Sequence, residues 1–199
     1  MLTIHGLSDA ALVTAAISNC PPPEGTPVWY DLFDPSSDED ADLERQIGVP
    51  VPTRAEMEEI EASSRLYAEE GALYMTALVP VRSDSDQPIL TPVTFILVGD
   101  VLATVRYDKP RSFEIFRARA ERPGFGLVDG RSVLLGLLET IIDRVADALE
   151  RIGADIERLS ASVFRPRRER ENGLEEAITA VGRLGGAVAR AEESLVSLA

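Results

Sequence analysis

The chain has 199 residues, with 34 Asp or Glu against 20 Lys or Arg, a formal net charge of −14 and a hydrophobic fraction of 45%. Because nucleic-acid binding needs clustered cationic side chains that release counterions, so acidic a chain is a poor candidate for a nucleic-acid-binding protein. A single cysteine, Cys20, and a single histidine, His5, exclude an intrachain disulfide framework, zinc ribbons and histidine-rich metal centres.

The sequence carries no pattern of a secreted or membrane-spanning segment. The N-terminus lacks the basic region and long apolar stretch of a secretory signal. No run of about 18 apolar residues is present, and the longest candidate, 93–105, is interrupted by Gly99-Asp100. We therefore expect the chain as given to be soluble and intracellular.

Short strand and helix signals alternate at the start of the chain. Residues 2–5 predict an edge strand, and Ser8 or Asp9 is suited to cap a helix that runs to about Asn19, before three prolines. The aromatic, β-prone segment 28–33 predicts a second strand, closed by Asp-Pro.

Two short helices are predicted next. The acidic residues 38–42 favour the start of a helix that reaches Ile47, because negative charge is favourable at a helix N-terminus. The same acids resemble a calcium loop, but an EF-hand loop would need Gly and Glu where Leu43 and Val49 stand. Thr53 and Glu56 form a capping-box pattern that predicts a helix through about residue 61.

The following segment predicts hairpins and one more helix. Residues 66–81 indicate one long strand or two strands interrupted at Gly71, and the polar residues 83–88 turn the chain back. Segments 93–98 and 101–107 flank Gly99-Asp100, which is typical of a β-hairpin. An amphipathic helix is predicted over residues 111–121. This alternation favours a mixed sheet with helices on its faces.

From Gly130 onward the pattern is purely helical. Apolar residues recur every three or four positions from Leu134 to Val163, which predicts a long helix that packs lengthwise on another helix. The opposite side of this helix is acidic and includes Glu139. A second periodic helix spans residues 174–198 and carries no stop signal before Ala199, so we expect the chain to be the front part of a longer protein.

The sequence offers little support for catalysis. It has no P-loop, no GxGxxG and no GxSxG motif, and neither His5 nor Cys20 has a partner for nucleophilic chemistry. We expect His5 to be structural and the protein not to be an enzyme. Glutamates 56, 58, 59 and 61 form a cluster that is either a hydrated acidic face or a hard-cation site, since Mg²⁺ takes carboxylate oxygens and water.

An ordered set of short motifs over essentially the whole chain resembles the CorA family of magnesium and cobalt transporters. The motifs are Trp29-Tyr30-Asp31-Leu32 followed by Pro35, Pro52 to Ile60, Ser64 to Tyr67, Tyr74-Met75-Thr76, Ser162 to Phe164, Val181 to Arg183, and Glu193 to Leu198. No single motif is diagnostic, whereas their order is fairly specific.

The resemblance implies an architecture. Residues 1–126 would form an α/β/α sandwich with a mixed, largely antiparallel sheet, and residues 130–199 a coiled-coil-like pair of helices leading to a truncated stalk. In that family five copies surround an ion pathway, and transmembrane helices with a Gly-Met-Asn signature follow. That signature is missing here, so the resemblance implies a domain at the cytoplasmic face of the inner membrane, tied to the membrane only through absent C-terminal helices.

The resemblance also implies a regulatory cation site between neighbouring subunits. By position, the family's acids fall on Glu58, Glu59 and Glu139, with a further acid beyond Ala199, and Glu replaces Asp at two of these places. The expected ligand is Mg²⁺, with Co²⁺ or Zn²⁺ as alternatives and no organic cofactor. Two other readings stay open: a zinc-handling member of the same family, and a soluble coiled-coil adaptor that docks a partner protein.

Overall fold

A computed structural model of the chain describes residues 1–8, 11–16, 26–59, 65–82, 88–122, 124–163 and 173–199. Within these ranges the strands are β1 (Leu2–Ser8), β2 (Ala11–Ala16), β3 (Thr26–Phe33), β4 (Leu66–Glu69), β5 (Ala72–Val81), β6 (Ile89–Val98) and β7 (Val101–Arg106). The helices are α1 (Ser37–Ile47), α2 (Arg54–Met57), α3 (Arg111–Ala120), α4 (Gly130–Val163) and α5 (Gly173–Ser197).

The seven strands form one sheet in the order β2-β1-β3-β7-β6-β5-β4. Neighbouring strands are antiparallel except for β3 and β7, which are parallel. The chain therefore has the predicted mixed, largely antiparallel sheet.

Apolar side chains cover both faces of the sheet. On one face Trp29 and Phe95 pack with Phe116 of α3 and Leu137 of α4, and we call this the long-helix face. The opposite, short-helix face carries a second cluster that includes Leu43 of α1 and Met57 of α2. Helices on both faces of one sheet make the predicted α/β/α sandwich.

Local sequence explains where the two short helices begin. Ser36 caps α1 and Thr53 caps α2, each in a reciprocal capping box with the glutamate three residues later. The acidic segment 38–42 is thus the predicted N-terminal part of a helix. α2 is shorter than predicted and ends at Met57; residues 60–64 lie outside the described part of the chain.

The hairpins follow the glycines. Gly71 has φ +82° between β4 and β5, and Gly99 has φ +56° between β6 and β7, values that favour glycine. Residues 66–81 are therefore two strands, one of the two predicted alternatives. The predicted turn at 83–88 falls largely outside the described residues.

Two predictions near the N-terminus are wrong. Residues 11–16 form strand β2, which pairs with β1, instead of a helix. Leu12 is buried and Val13 is 37% exposed, an alternation that a sheet edge accommodates, so pairing with β1 overrides the helix propensity of the alanines. β1 is consequently an interior strand between β2 and β3, not an edge.

The long helices split into a buried part and an exposed part. Leu134, Ile141 and Val145 of the predicted seam are buried, because the first turns of α4 pack on the sheet. Further along the same seam, Ile156 is 47% exposed. α5 returns beside α4, and the intervening residues 164–172 lie outside the described ranges. Across those ranges, no helix has the length and apolarity needed to cross a membrane.

Candidate cation site

The short helix α2 positions the first predicted acids. The carboxylate of Glu56 accepts hydrogen bonds from the Thr53 backbone N–H at 2.7 Å and from its hydroxyl at 2.8 Å. These bonds lower the pKa of Glu56 below its usual value. The Oε2 atom of Glu56 is therefore committed to starting the helix.

Glu58 and Glu59 follow at the end of α2 and are both exposed. Arg54 Nε donates to Glu58 Oε1 at 2.9 Å, one helical turn away. The Arg54 guanidinium also lies 5.1 Å from the centre of the Tyr107 ring. The spacing of Arg54 and Glu58 is visible in the sequence, although sequence reasoning overlooked this pair. The end of α2 thus presents two adjacent carboxylates to solvent, one of them paired with an arginine.

Glu139 lies on the exposed side of α4, as its position opposite the apolar seam predicts. Asp143 stands one turn further along the same side, with one carboxylate oxygen 3.6 Å from Arg119 of α3. This face of α4 is acidic and open to solvent.

The sheet separates the two groups of acids. Met57, next to Glu58, packs on the short-helix face, whereas Leu137 and Ile141, on either side of Glu139, pack on the long-helix face. Throughout the described ranges, no three His, Cys, Asp or Glu side chains are placed to hold one metal ion. Glu58 and Glu59 therefore lie on one side of the sheet and Glu139 on the other.

The chemistry of these side chains suits a hard cation. Exposed carboxylates supply the oxygen ligands that Mg²⁺ takes together with water. Zn²⁺ prefers nitrogen and sulfur ligands.

His5 is fully buried, stacks on Trp29 with ring centres 4.2 Å apart, and places Nδ1 2.9 Å from Thr14 Oγ1. Burial lowers the pKa of His5 to about 4, and Cys20 lies outside the described residues. This burial is compatible with the structural role predicted for His5.

The motif Trp29-x-Asp31-Leu32 forms a buried polar network instead of a site. Trp29 Nε1 donates to Thr104 Oγ1 at 2.9 Å, and Thr104 Oγ1 donates to Asp31 Oδ1 at 3.0 Å. Arg106 binds both oxygens of Asp31, with Nε at 2.9 Å and Nη2 at 2.7 Å. This network joins the parallel strands β3 and β7. It was missed because its members are 73 to 75 residues apart in sequence.

Comparisons with known protein sequences point to one family. A family model described as CorA-like Mg2+ transporter protein matches residues 24–192. The magnesium transport protein CorA of Pasteurella multocida is 31% identical over 82% of this chain and 52% of its own length. That of Salmonella typhimurium is 33% identical over 69% of this chain and 43% of its own length. The chain thus spans about half the length of the curated relatives it matches.

Solved structures share the architecture at low sequence identity. The soluble domain of CorA from Methanocaldococcus jannaschii has a TM-score of 0.56 and 14% identity, over 85% of each chain. The ZntB cytoplasmic domain from Vibrio parahaemolyticus has a TM-score of 0.63 and 11% identity, over 98% of this chain and 78% of that one. The solved structures show that the fold is shared. The family model and the sequence relatives show to which family the chain belongs. The chain belongs to the family of CorA-like Mg²⁺ transporter proteins.

Proposed function

We propose that this chain is the cytoplasmic cation-sensing part of a CorA-like divalent-cation transporter and has no enzymatic activity. Residues 1–126 form its α/β body, and residues 130–199 its helical part. Copies assemble as a homo-oligomer, a pentamer in the full-length protein, at the cytoplasmic face of the inner membrane. The transporting segments of such a protein are membrane helices that follow this domain.

One observation carries the sensing proposal: the carboxylates of Glu58 and Glu59 and the carboxylate of Glu139 lie on opposite faces of one sheet. A cation that bridges the two groups must therefore join two copies of the chain. The same arrangement lets every copy in a ring contribute one half-site to each neighbour.

The charges of these carboxylates make the association of copies depend on the Mg²⁺ concentration. Apposed carboxylates repel by about 1 kcal/mol per pair in the dielectric of water, and more where water is excluded. A divalent cation between them reverses the sign of the interaction and favours association. Falling Mg²⁺ would then shift the assembly toward separated subunits.

Exposed apolar residues support association between copies. On α4, Leu135, Ile142 and Ile156 are exposed, and the first two are spaced by seven residues. On α5, Val181 and Val188 are exposed with the same spacing. Repeats of seven residues are typical of helices that pack lengthwise on other helices.

The proposal is tested by titrating MgCl₂ to millimolar concentrations while following thermal unfolding and sedimentation. NaCl at matched ionic strength is required, because any salt screens the repulsion within a chain of net charge −14. At tenfold excess over the dissociation constant, binding adds about 1.4 kcal/mol, or roughly 3–5 °C in Tm. The triple variant E58Q/E59Q/E139Q should lose this gain in Tm. The control variant E150Q/E157Q, whose two glutamates lie on α4 like Glu139, should retain it.

The same titration separates the alternatives. A larger gain with ZnCl₂ than with MgCl₂ would favour a zinc-handling relative. Equal behaviour of the parent, the triple variant and the control in Mg²⁺ and Na⁺ would contradict the sensing role. The exposed apolar side chains of α4 and α5 would then be better explained by an adaptor that docks a partner protein.

A further inference from the structure

One of the two adjacent glutamates at the end of α2 is held by an arginine of the same helix. Arg54 Nε donates to Glu58 Oε1 at 2.9 Å, from the first residue of α2 to the residue that caps its end. This hydrogen bond and the charge of Glu58 raise the pKa of Arg54, and the charge of Asp108 adds to their effect. A guanidinium does not lose its proton in proteins, so Glu58 faces a fixed positive charge whatever the pH.

The pair lies where another cation can reach it. The side chain of Arg54 is 63% exposed and that of Glu58 is 54% exposed. In the buried pair of Arg106 and Asp31, by contrast, the side chains are only 10% and 4% exposed. Exposed pairs are weak and are screened by salt, whereas breaking a buried pair is costly. Glu58 can therefore exchange its partner for another cation, and Asp31 cannot.

The stability of α2 does not explain the pair. Between residues four apart on a helix, an acid before the base is the better order, and Arg54 with Glu58 has the reverse order. The start of α2 is fixed by Thr53 and Glu56, whose mutual hydrogen bonds do not involve Arg54. The contact thus adds little to the helix, while it occupies one oxygen of Glu58.

An aromatic ring keeps the guanidinium next to α2. The centre of the Tyr107 ring lies 5.1 Å from Arg54 Cζ, within the range of a cation–π contact. Tyr107 follows β7 and packs against the cluster on the short-helix face, so the ring belongs to the sheet and not to α2. Arg54 therefore stays near Glu58 when their hydrogen bond opens, and it remains available to form the bond again.

We propose that Arg54 competes with the cation for Glu58 and so sets the Mg²⁺ concentration to which this site responds. Mg²⁺ binds proteins through one or two carboxylates and keeps several waters, so it must share Glu58 with the guanidinium or replace it. At low Mg²⁺ Arg54 occupies Glu58, and rising Mg²⁺ leaves Arg54 on Tyr107 alone. This inference rests on the proposed cation-sensing function, since it assigns a regulator to the same site.

An NMR titration with MgCl₂ at constant ionic strength tests the competition. The backbone amide signals of Glu58 and Glu59 give an apparent dissociation constant. In R54Q this constant should fall by about fivefold, the factor that the repulsion of one nearby unit charge produces in the dielectric of water. R54K keeps the charge and should stay within about twofold of the parent. The matched control R45Q removes an exposed arginine that pairs with Asp42 on α1, and it should also stay within about twofold.

The side chain of Arg54 provides a second readout in the parent. Its Nε–H signal should move from the position of a carboxylate-bound N–H to that of a hydrated one over the same range of Mg²⁺ concentration. An unchanged dissociation constant in R54Q, or an equal decrease in R45Q, would overturn the competition.

Sedimentation of the same samples separates this inference from the proposed function. Displacement of Arg54 by Mg²⁺ without association of the chains would support the competition and contradict the sensing role. Association at millimolar Mg²⁺ with Arg54 still bound to Glu58 would contradict the competition and leave the sensing role standing. No response of the amide signals, the Nε–H signal or the sedimentation would contradict both.

Discussion

The central sheet and the outer part of the two long helices differ in how their charged and apolar side chains are placed. In the sheet, the charges of Asp31 and Arg106 are buried and neutralise each other within one chain. On α4 and α5, apolar side chains such as Ile142 and Val181 remain exposed, and the acidic Glu139 is exposed near Ile142. The sheet balances its buried charges within one chain, whereas the helices leave large apolar side chains exposed, a feature typical of interaction surfaces.

The largest expected effect lies in the buried network. R106M should lower the free energy of unfolding by about 3–5 kcal/mol, because Asp31 would stay buried without a counter-charge. Urea denaturation measures the loss. R45M, which removes an exposed pair with Asp42, should cost at most about 1 kcal/mol. Equal losses in the two variants would contradict the distinction between the regions.

The buried histidine should make stability depend on pH. The pKa of His5 is about 4 in the fold against 6.5 in the unfolded chain, because burial disfavours the charged ring more than nearby Asp31 favours it. The unfolded chain therefore binds more protons between these values, and stability falls as pH drops from 6.5 toward 4, by about 3 kcal/mol in all.

The variant H5Q isolates this contribution. Its absolute stability will change because the contacts with Trp29 and Thr14 are lost, so the relevant quantity is the slope of stability against pH. Chemical denaturation at several pH values between 4.5 and 6.5 should give a shallower slope for H5Q than for the parent. Identical slopes would show that His5 does not titrate as its burial requires.

Two glycines of α4 give opposite predictions. A Cβ on Gly130 would lie 2.4 Å from the backbone N of Leu102, so G130A should cost about 1–3 kcal/mol by displacing the start of α4 from the sheet. Gly153, in the outer part of α4, has open space around it, so G153A should add about 0.5–1 kcal/mol. Thermal unfolding of both variants checks the signs, and destabilisation by G153A would contradict the openness of that region.

The smallest effect on unfolding is expected at the exposed apolar positions. I142S/V181S should change the stability of the monomer by no more than about 1 kcal/mol, because Ile142 is 46% exposed and Val181 is 61% exposed. The same double variant should weaken self-association in sedimentation experiments at millimolar Mg²⁺. Strong destabilisation of the monomer would show that these side chains are part of a core.

Local sequence was sufficient to predict the helix starts and hairpin turns, because each depends on a few neighbouring residues. The capping residues Ser36 and Thr53 and the hairpin glycines Gly71 and Gly99 act within a few residues, and the structure places turns and helix starts there. Residues 11–16 were assigned wrongly because their conformation depends on pairing with β1. Six residues are too few for alternation to outweigh helix propensity.

The arrangement of the site required the fold. The sequence placed Glu58 and Glu59 on a short helix and Glu139 on a long one. It could not show that a sheet lies between them, because strand order and the parallel pairing of β3 with β7 depend on contacts distant in sequence. The bonds from Ser194 and Ser197 to Leu78, across 116 to 119 residues, escaped prediction for the same reason.

Mixing two variants tests the central claim most directly. E58Q/E59Q lacks one half-site and E139Q lacks the other, so neither variant alone should associate in response to Mg²⁺. In an equimolar mixture, the intact Glu139 of one variant can face the intact Glu58 and Glu59 of the other. Sedimentation velocity at millimolar MgCl₂ should therefore detect association in the mixture and not in either variant. A mixture that stays as dissociated as its components would contradict a cation held between copies of the chain.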